Sequence, residues 1–151
     1  MTVSVEIETR IDRPQADVFA ALTDVVRYPE WLIASGIVRV DPLDQGPLKT
    51  GSRLRISQTV AGRSTVLDGS VTRLTPPATF GLSGKDKDGV TIEIDAALTP
   101  DGSATRLRWS LRLKLPLRFR MFESMVSPQA KRAAALDLEA FTRRLESVAQ
   151  G

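Results

Sequence analysis

The chain has 151 residues, 42% of them hydrophobic, and its 21 lysines and arginines against 18 aspartates and glutamates leave a formal net charge of only +3. It contains neither cysteine nor histidine, which excludes disulfides, thiolate nucleophiles, Ser-His and Cys-His pairs and almost every transition-metal site; no metal and no cofactor is expected. The length suits one domain over residues 1–151. With no apolar run near the roughly 20 residues that span a bilayer and no signal-like start, a cytoplasmic protein is expected.

Residues 3–11 alternate, with Val3, Val5, Ile7, Thr9 and Ile11 on one side and Ser4, Glu6, Glu8 and Arg10 on the other, the pattern of a half-buried strand. The period then changes. Asp12 reads as the N-cap of a short helix with Pro14 in its first turn and Val18, Phe19 and Leu22 on its apolar face. Tyr28-Pro29-Glu30-Trp31 allows only a broken helix of one or two turns before Ser35-Gly36.

From Ile37 onward strands dominate. A short one ends at Pro42; after Gly51 a second places Leu54, Ile56, Gln58 and Val60 opposite Arg53, Arg55, Ser57 and Thr59. Ala61-Gly62-Arg63 turns it into a partner over residues 64–74, on which Leu67, Gly69 and Val71 share a face. Pro76-Pro77 ends that run, residues 79–83 make a shorter strand, and residues 84–89 form a polar hairpin loop. Val90, Ile92, Ile94, Ala96 and Leu98 alternate next, then, after the turn residues 100–103, Leu107, Trp109, Leu111, Leu113 and Leu115. Short turns between the runs imply antiparallel pairing.

Residues 117–148 read as one long amphipathic helix with a break or kink at Pro128. At about 100° per residue, Val126, Ala130, Ala133, Ala134, Leu138, Phe141, Leu145 and Val148 form one apolar stripe, which needs a partner surface. The fold class is therefore α+β: a curved antiparallel sheet wrapped around a long C-terminal helix, with two short helices after the first strand. Because the first half of the stripe is alanine, helix and sheet need not fill the space between them, and a pocket is expected there.

The element order, together with Ile11-Asp12-Arg13-Pro14, Val18-Phe19, Leu22, Asp24 and Tyr28-Pro29-Glu30-Trp31, resembles the START/Bet v 1-like superfamily with its helix-grip fold. Gly51-Ser52-Arg53-Leu54-Arg55, Gly69-Ser70-Val71-Thr72-Arg73-Leu74 with Pro76-Pro77, and Leu98-Thr99-Pro100-Asp101-Gly102 up to Thr105-Arg106-Leu107 sharpen the likeness to its bacterial polyketide cyclase/dehydrase-like branch. The resemblance covers the whole chain and implies the fold. These motifs are mainly caps, turns and seats for the small helices, and relatives range from lipid carriers to cyclases, so the resemblance does not choose a function.

The candidate ligand-binding residues are Trp31, Leu54, Ile56, Gln58, Trp109, Leu111, Ala130, Ala133, Ala134 and Asp137, with Phe122 and Met125 at the mouth; no catalytic residue is assigned. Asp137, a carboxylate on the apolar stripe, reads either as a polar handle for a ligand or as a partner of a rim arginine. The tryptophans read as pocket walls or as plain core, and Gln58 as a ligand contact or a sheet-rim hydrogen bond. Phe122 and Met125, with Phe119 and Met121, suit a flexible gate or ordinary packing at a helix start. Arg106, Arg108, Arg112 and Lys114, like Arg53 and Arg55, share a face that reads as solvated; without interleaved aromatics it is no base-stacking platform, and no specific nucleic acid is expected. An opposite registration would turn Arg53 or Arg55 into the pocket and suit an acidic ligand. Three functions stay open. They are a carrier or sensor for a hydrophobic or amphipathic small molecule of lipid or polyketide type, a polyketide cyclase, aromatase or dehydrase acting in the same cavity with Asp137, Tyr28 or an arginine handling protons, and a toxin-like interaction module with a filled core.

Overall fold

A computed structural model of the chain describes residues 2–150; Met1 and Gly151, the ends of the expected domain, lie outside them. The elements in order are β1 (Thr2–Ile11), α1 (Gln15–Leu22), a 3-10 helix (Val25–Glu30), β2 (Ile37–Pro42), β3 (Arg53–Val60), β4 (Arg63–Thr75), β5 (Thr79–Lys85), β6 (Thr91–Asp101), β7 (Ala104–Lys114), a second 3-10 helix (Leu117–Phe122) and α2 (Glu123–Gln150). The strands form one antiparallel sheet in the order β1-β7-β6-β5-β4-β3-β2. This is the helix-grip architecture: the sheet curves around α2, and the short helices follow β1. No helix among the described residues is long and apolar enough to cross a membrane.

The period-2 pattern sets each strand's inner face. On β1, Val3, Val5 and Ile11 are buried, while Ser4, Glu6, Glu8 and Arg10 are exposed. The β3–β4 hairpin closes on Ala61 and Gly62, both at positive φ, the backbone that a two-residue turn requires if the strands are to keep their twist. Ile11, Leu22, Trp31, Leu54, Val71, Leu107 and Phe141 all belong to one core between sheet, short helices and α2.

Arg13 fastens the N-terminal segment. Its guanidinium pairs with Asp17 at 2.7 Å and donates to the Leu145 carbonyl of α2, also at 2.7 Å. The buried Thr105 hydroxyl donates to the Arg13 carbonyl at 2.8 Å, and the Gln15 amide donates to the carbonyls of Pro77 and Leu98. The Ile11-Asp12-Arg13-Pro14 motif is thus a staple between the first helix, the sheet and the last helix.

Several sequence expectations need correction. Asp12 is not the N-cap of α1; that position is held by Pro14 in extended conformation, with no side-chain cap, while the Asp12 N–H donates to Glu146. The long helix does not start at Leu117 or break at Pro128. The break falls between Phe122 and Glu123, and Pro128 sits inside α2, where so near the N-terminus it removes only the bond to the Ser124 carbonyl. Val148 is 66% exposed rather than buried. β5 runs on to Lys85, which shortens the expected loop after residue 83, and β7 ends at Lys114, before Leu115.

The charged faces point outward. Arg53 and Arg55 are exposed, so the registration that would turn them into the interior is ruled out. Asp44 accepts from the Arg53 backbone N–H at 2.7 Å and from its guanidinium at 2.8 Å, and these bonds hold the Asp44 carboxyl below its ordinary range. On β7, Arg106 and Arg108 face Glu8 and Glu6 of β1, while Arg112 and Lys114 face Glu93 of β6. The basic row is interleaved with carboxylates from both neighbouring strands.

Candidate functional site

α2 approaches β1 more closely than any other strand, so the middle of the sheet stands away from it. The gap is a cavity of about 310 Å³, at the lower end of the range for small-molecule sites. Its helix wall is Val126, Gln129, Ala130, Ala133, Ala134, Asp137 and Leu138. Ile56, Gln58 and Val60 of β3, Leu67 of β4, Leu82 to Gly84 of β5, Ile92 and Ile94 of β6, and Trp109, Leu111 and Leu113 of β7 form the sheet wall. The end is closed by Tyr28, Trp31, Leu32 and residues 34, 35 and 37. Alanines at positions 130, 133 and 134 keep the helix surface shallow where a leucine would reach across.

Trp31 joins this wall to the core. Its ring centroid lies 4.5 Å from that of Phe141, 5.8 Å from Trp109 and 5.3 Å from Tyr28, the last two edge-on, a favourable arrangement for aromatic quadrupoles. The tryptophans are therefore both core and wall.

Asp137 is 2% exposed and its carboxylate accepts two backbone N–H bonds, from Ala34 at 2.8 Å and Ser35 at 3.0 Å. No arginine pairs with it among the described ion pairs, contrary to the rim-pairing alternative. Gln58 acts on the same loop, donating from Nε2 to the Ser35 carbonyl at 2.8 Å. Gly36 (φ +76) then passes so close to β3 that its carbonyl receives the Thr59 N–H at 2.8 Å. The two polar residues of the expected site thus hold residues 34–36 as the polar end of the cavity.

Burial pushes the Asp137 carboxyl above its ordinary 3.8, partly offset by the bonds from Ser35 and Ala34. With its native pKa above the unfolded one, the folded state holds this proton more tightly. Its contribution to stability is complete below about 3.8 and is lost as pH rises through the native value. The stability of the wild type relative to Asp137→Asn, measured by urea melts from acid to neutral pH, should therefore decline as pH rises. A difference that grows with pH would mean that the two amide bonds outweigh burial.

Tyr28 is buried with its hydroxyl donating to the Leu22 carbonyl at 2.5 Å, and burial, followed by the negative charge of Asp24, raises its pKa far above the ordinary range. Of the candidate residues, Trp31, Ile56, Gln58, Trp109, Leu111, Ala130, Ala133, Ala134 and Asp137 meet at the cavity. Leu54 does not: it is buried in the core, away from the cavity wall. Phe122 and Met125 do not either, being 52% and 61% exposed: Phe122 ends the 3-10 segment ahead of the break, and Met125, in the first turn of α2, falls outside its apolar stripe. Val126 and Gln129 stand on the helix wall near that end instead. Ile92, Ile94 and Leu113 were readable as inward residues on their strands, whereas nothing local marked Ser83, at the expected end of β5, or Gly84, where β5 outruns that end.

The polyketide cyclase / dehydrase and lipid transport family model matches residues 2–149. A comparison with curated proteins finds no match. Among solved structures, the chain is similar to the Zhui aromatase/cyclase from a Streptomyces species (TM-score 0.77, 17% identity, 97% of this chain and 94% of that one). It is likewise similar to a START superfamily protein from Mycobacterium smegmatis (TM-score 0.77, 19% identity, 97% and 99%) and to a Thermus thermophilus protein (TM-score 0.78, 14% identity, 96% and 98%). At such identities these likenesses speak for the fold alone. With the family model matched over nearly its whole length, the chain belongs to the polyketide cyclase/dehydrase and lipid transport family.

Proposed function

We propose that the protein binds a hydrophobic or amphipathic small molecule between sheet and α2, as a carrier or sensor. The observation that carries this reading is the cavity of about 310 Å³, walled mainly by apolar side chains and shallow along the alanines of α2. A void of this size also speaks against an interaction module with a filled core.

Cyclase or dehydrase chemistry would call for polar groups converging on a reactive intermediate. The two titratable residues on the wall among the described ones, Asp137 and Tyr28, do not act on each other. Asp137 is shifted mainly by burial and Tyr28 by burial and Asp24, and each polar head is engaged with backbone. This favours binding over catalysis.

The test is to fill the space. Ala133→Phe places a ring in the void, so binding of the neutral dye N-phenyl-1-naphthylamine, followed by fluorescence, should fall at least tenfold while the melting temperature stays close to that of the wild type. Overpacking a solid interior would instead cost about 1–3 kcal/mol. A wild type that binds no probe, with a strongly destabilised variant, would return the interaction-module reading to the lead.

A further inference from the structure

Among the described residues, Asp137 is the one carboxylic acid on the cavity wall, and no lysine or arginine lines it. The backbone N–H groups best placed to receive an anion at the polar end, those of Ala34 and Ser35, already donate to Asp137. Each carboxylate oxygen accepts one of them and keeps a second lone pair. The Ser35 carbonyl nearby is an acceptor too, engaged by Gln58. An acid group seated here would meet a carboxylate of its own sign, out of water, with no cation among the described wall residues to offset it.

We infer that the bound molecule presents a hydrogen-bond donor, a hydroxyl, phenol or protonated amine, to the Asp137 carboxylate, and that carboxylates and phosphates are rejected at that end. The inference rests on the binding reading above and narrows it from amphipathic molecules in general to those without an acidic head. It points away from free fatty acids. Specificity of this kind follows from buried polar groups, because a ligand that leaves the carboxylate unpaired, or faces it with like charge, loses more than one that merely fits the apolar wall loosely.

Calorimetric titration of the wild type at mildly alkaline pH with compounds of one shape separates the causes. 2-Naphthol and 2-methoxynaphthalene share the ring and the oxygen but only the first can donate, and 2-naphthol should bind about tenfold tighter or more. The cation of 2-naphthylmethylamine and the anion 2-naphthoate both lose water on entering an apolar cavity, so a preference of tenfold or more for the cation reads the sign of the wall charge. Asp137→Asn should abolish that preference; if the variant does not fold, the wild-type series decides alone. Equal binding of the two neutral compounds with exclusion of both ions would overturn the donor inference and leave the container standing. Tighter binding of the carboxylate would overturn the inference as well. Failure of every compound, together with N-phenyl-1-naphthylamine, would overturn the binding reading and the inference with it.

Discussion

Replacing Phe141 by alanine should cost about 3–5 kcal/mol of stability, the range for truncating a fully packed aromatic. The side chain is 1% exposed, sits on the buried stripe of α2 and lies against Trp31 with ring centroids 4.5 Å apart. Trp31 meets the core on the Phe141 side and lines the cavity as well. Once the phenyl group is gone, the indole loses its firm neighbour and has empty space within reach, so the site cannot collapse neatly around the deletion. Urea melts give the number, and a loss below about 1 kcal/mol would mean that this part of the interior is loosely filled.

Gly36→Ala is the second large effect. A Cβ at Gly36 would fall on the Thr59 carbonyl oxygen, far inside van der Waals contact, and a β3 backbone atom cannot swing aside as a side chain can. Gly62 supplies the control: its φ of +78 matches the +76 of Gly36, but a Cβ there meets nothing within 4 Å. Gly62→Ala should therefore pay only the left-handed backbone penalty, about 1–2 kcal/mol, while Gly36→Ala adds the clash and should lose on the order of 3 kcal/mol or more. It should also weaken probe binding, because Ala34 and Ser35, tied to Asp137, move with Gly36. Equal costs for the two variants in parallel melts would show that the loop retreats from β3 freely.

Periodicity made most of the fold legible. Alternation on β1, β3, β6 and β7 marked the inner faces because each strand has one wet side and one dry side, and the alanines of the last helix announced where the interior would be shallow. What it left obscure depended on distance along the chain or on phase. Asp137 was visible as a carboxylate on an apolar stripe, yet its partners are backbone amides about a hundred residues earlier, and backbone groups leave no trace in side-chain patterning. Phe122 and Met125 were read as a gate because they cluster with Phe119 and Met121 ahead of Pro128, and such a cluster shows neither that Phe122 ends a 3-10 segment nor that Met125 falls on α2 outside the apolar stripe. Leu54 was correctly inward but at the packed end of its strand, and alternation does not say where along a strand the helix stands off.

The pairing of β1 with β7 imposes an order on the chain's assembly. Thr2 is aligned with Lys114 and Ile11 with Thr105, so the first strand of this sheet to be made is among the last to find its neighbour. At typical synthesis rates of about 5–20 residues per second, its apolar row of Val3, Val5, Ile7 and Ile11 waits several seconds for β7 to be made. The meander from β2 to β7 closes locally, hairpin by hairpin, in the meantime. Arg13, whose carbonyl meets Thr105 and whose guanidinium meets Leu145, sits where both late arrivals converge, at the latch of a structure that closes by joining its beginning to its end.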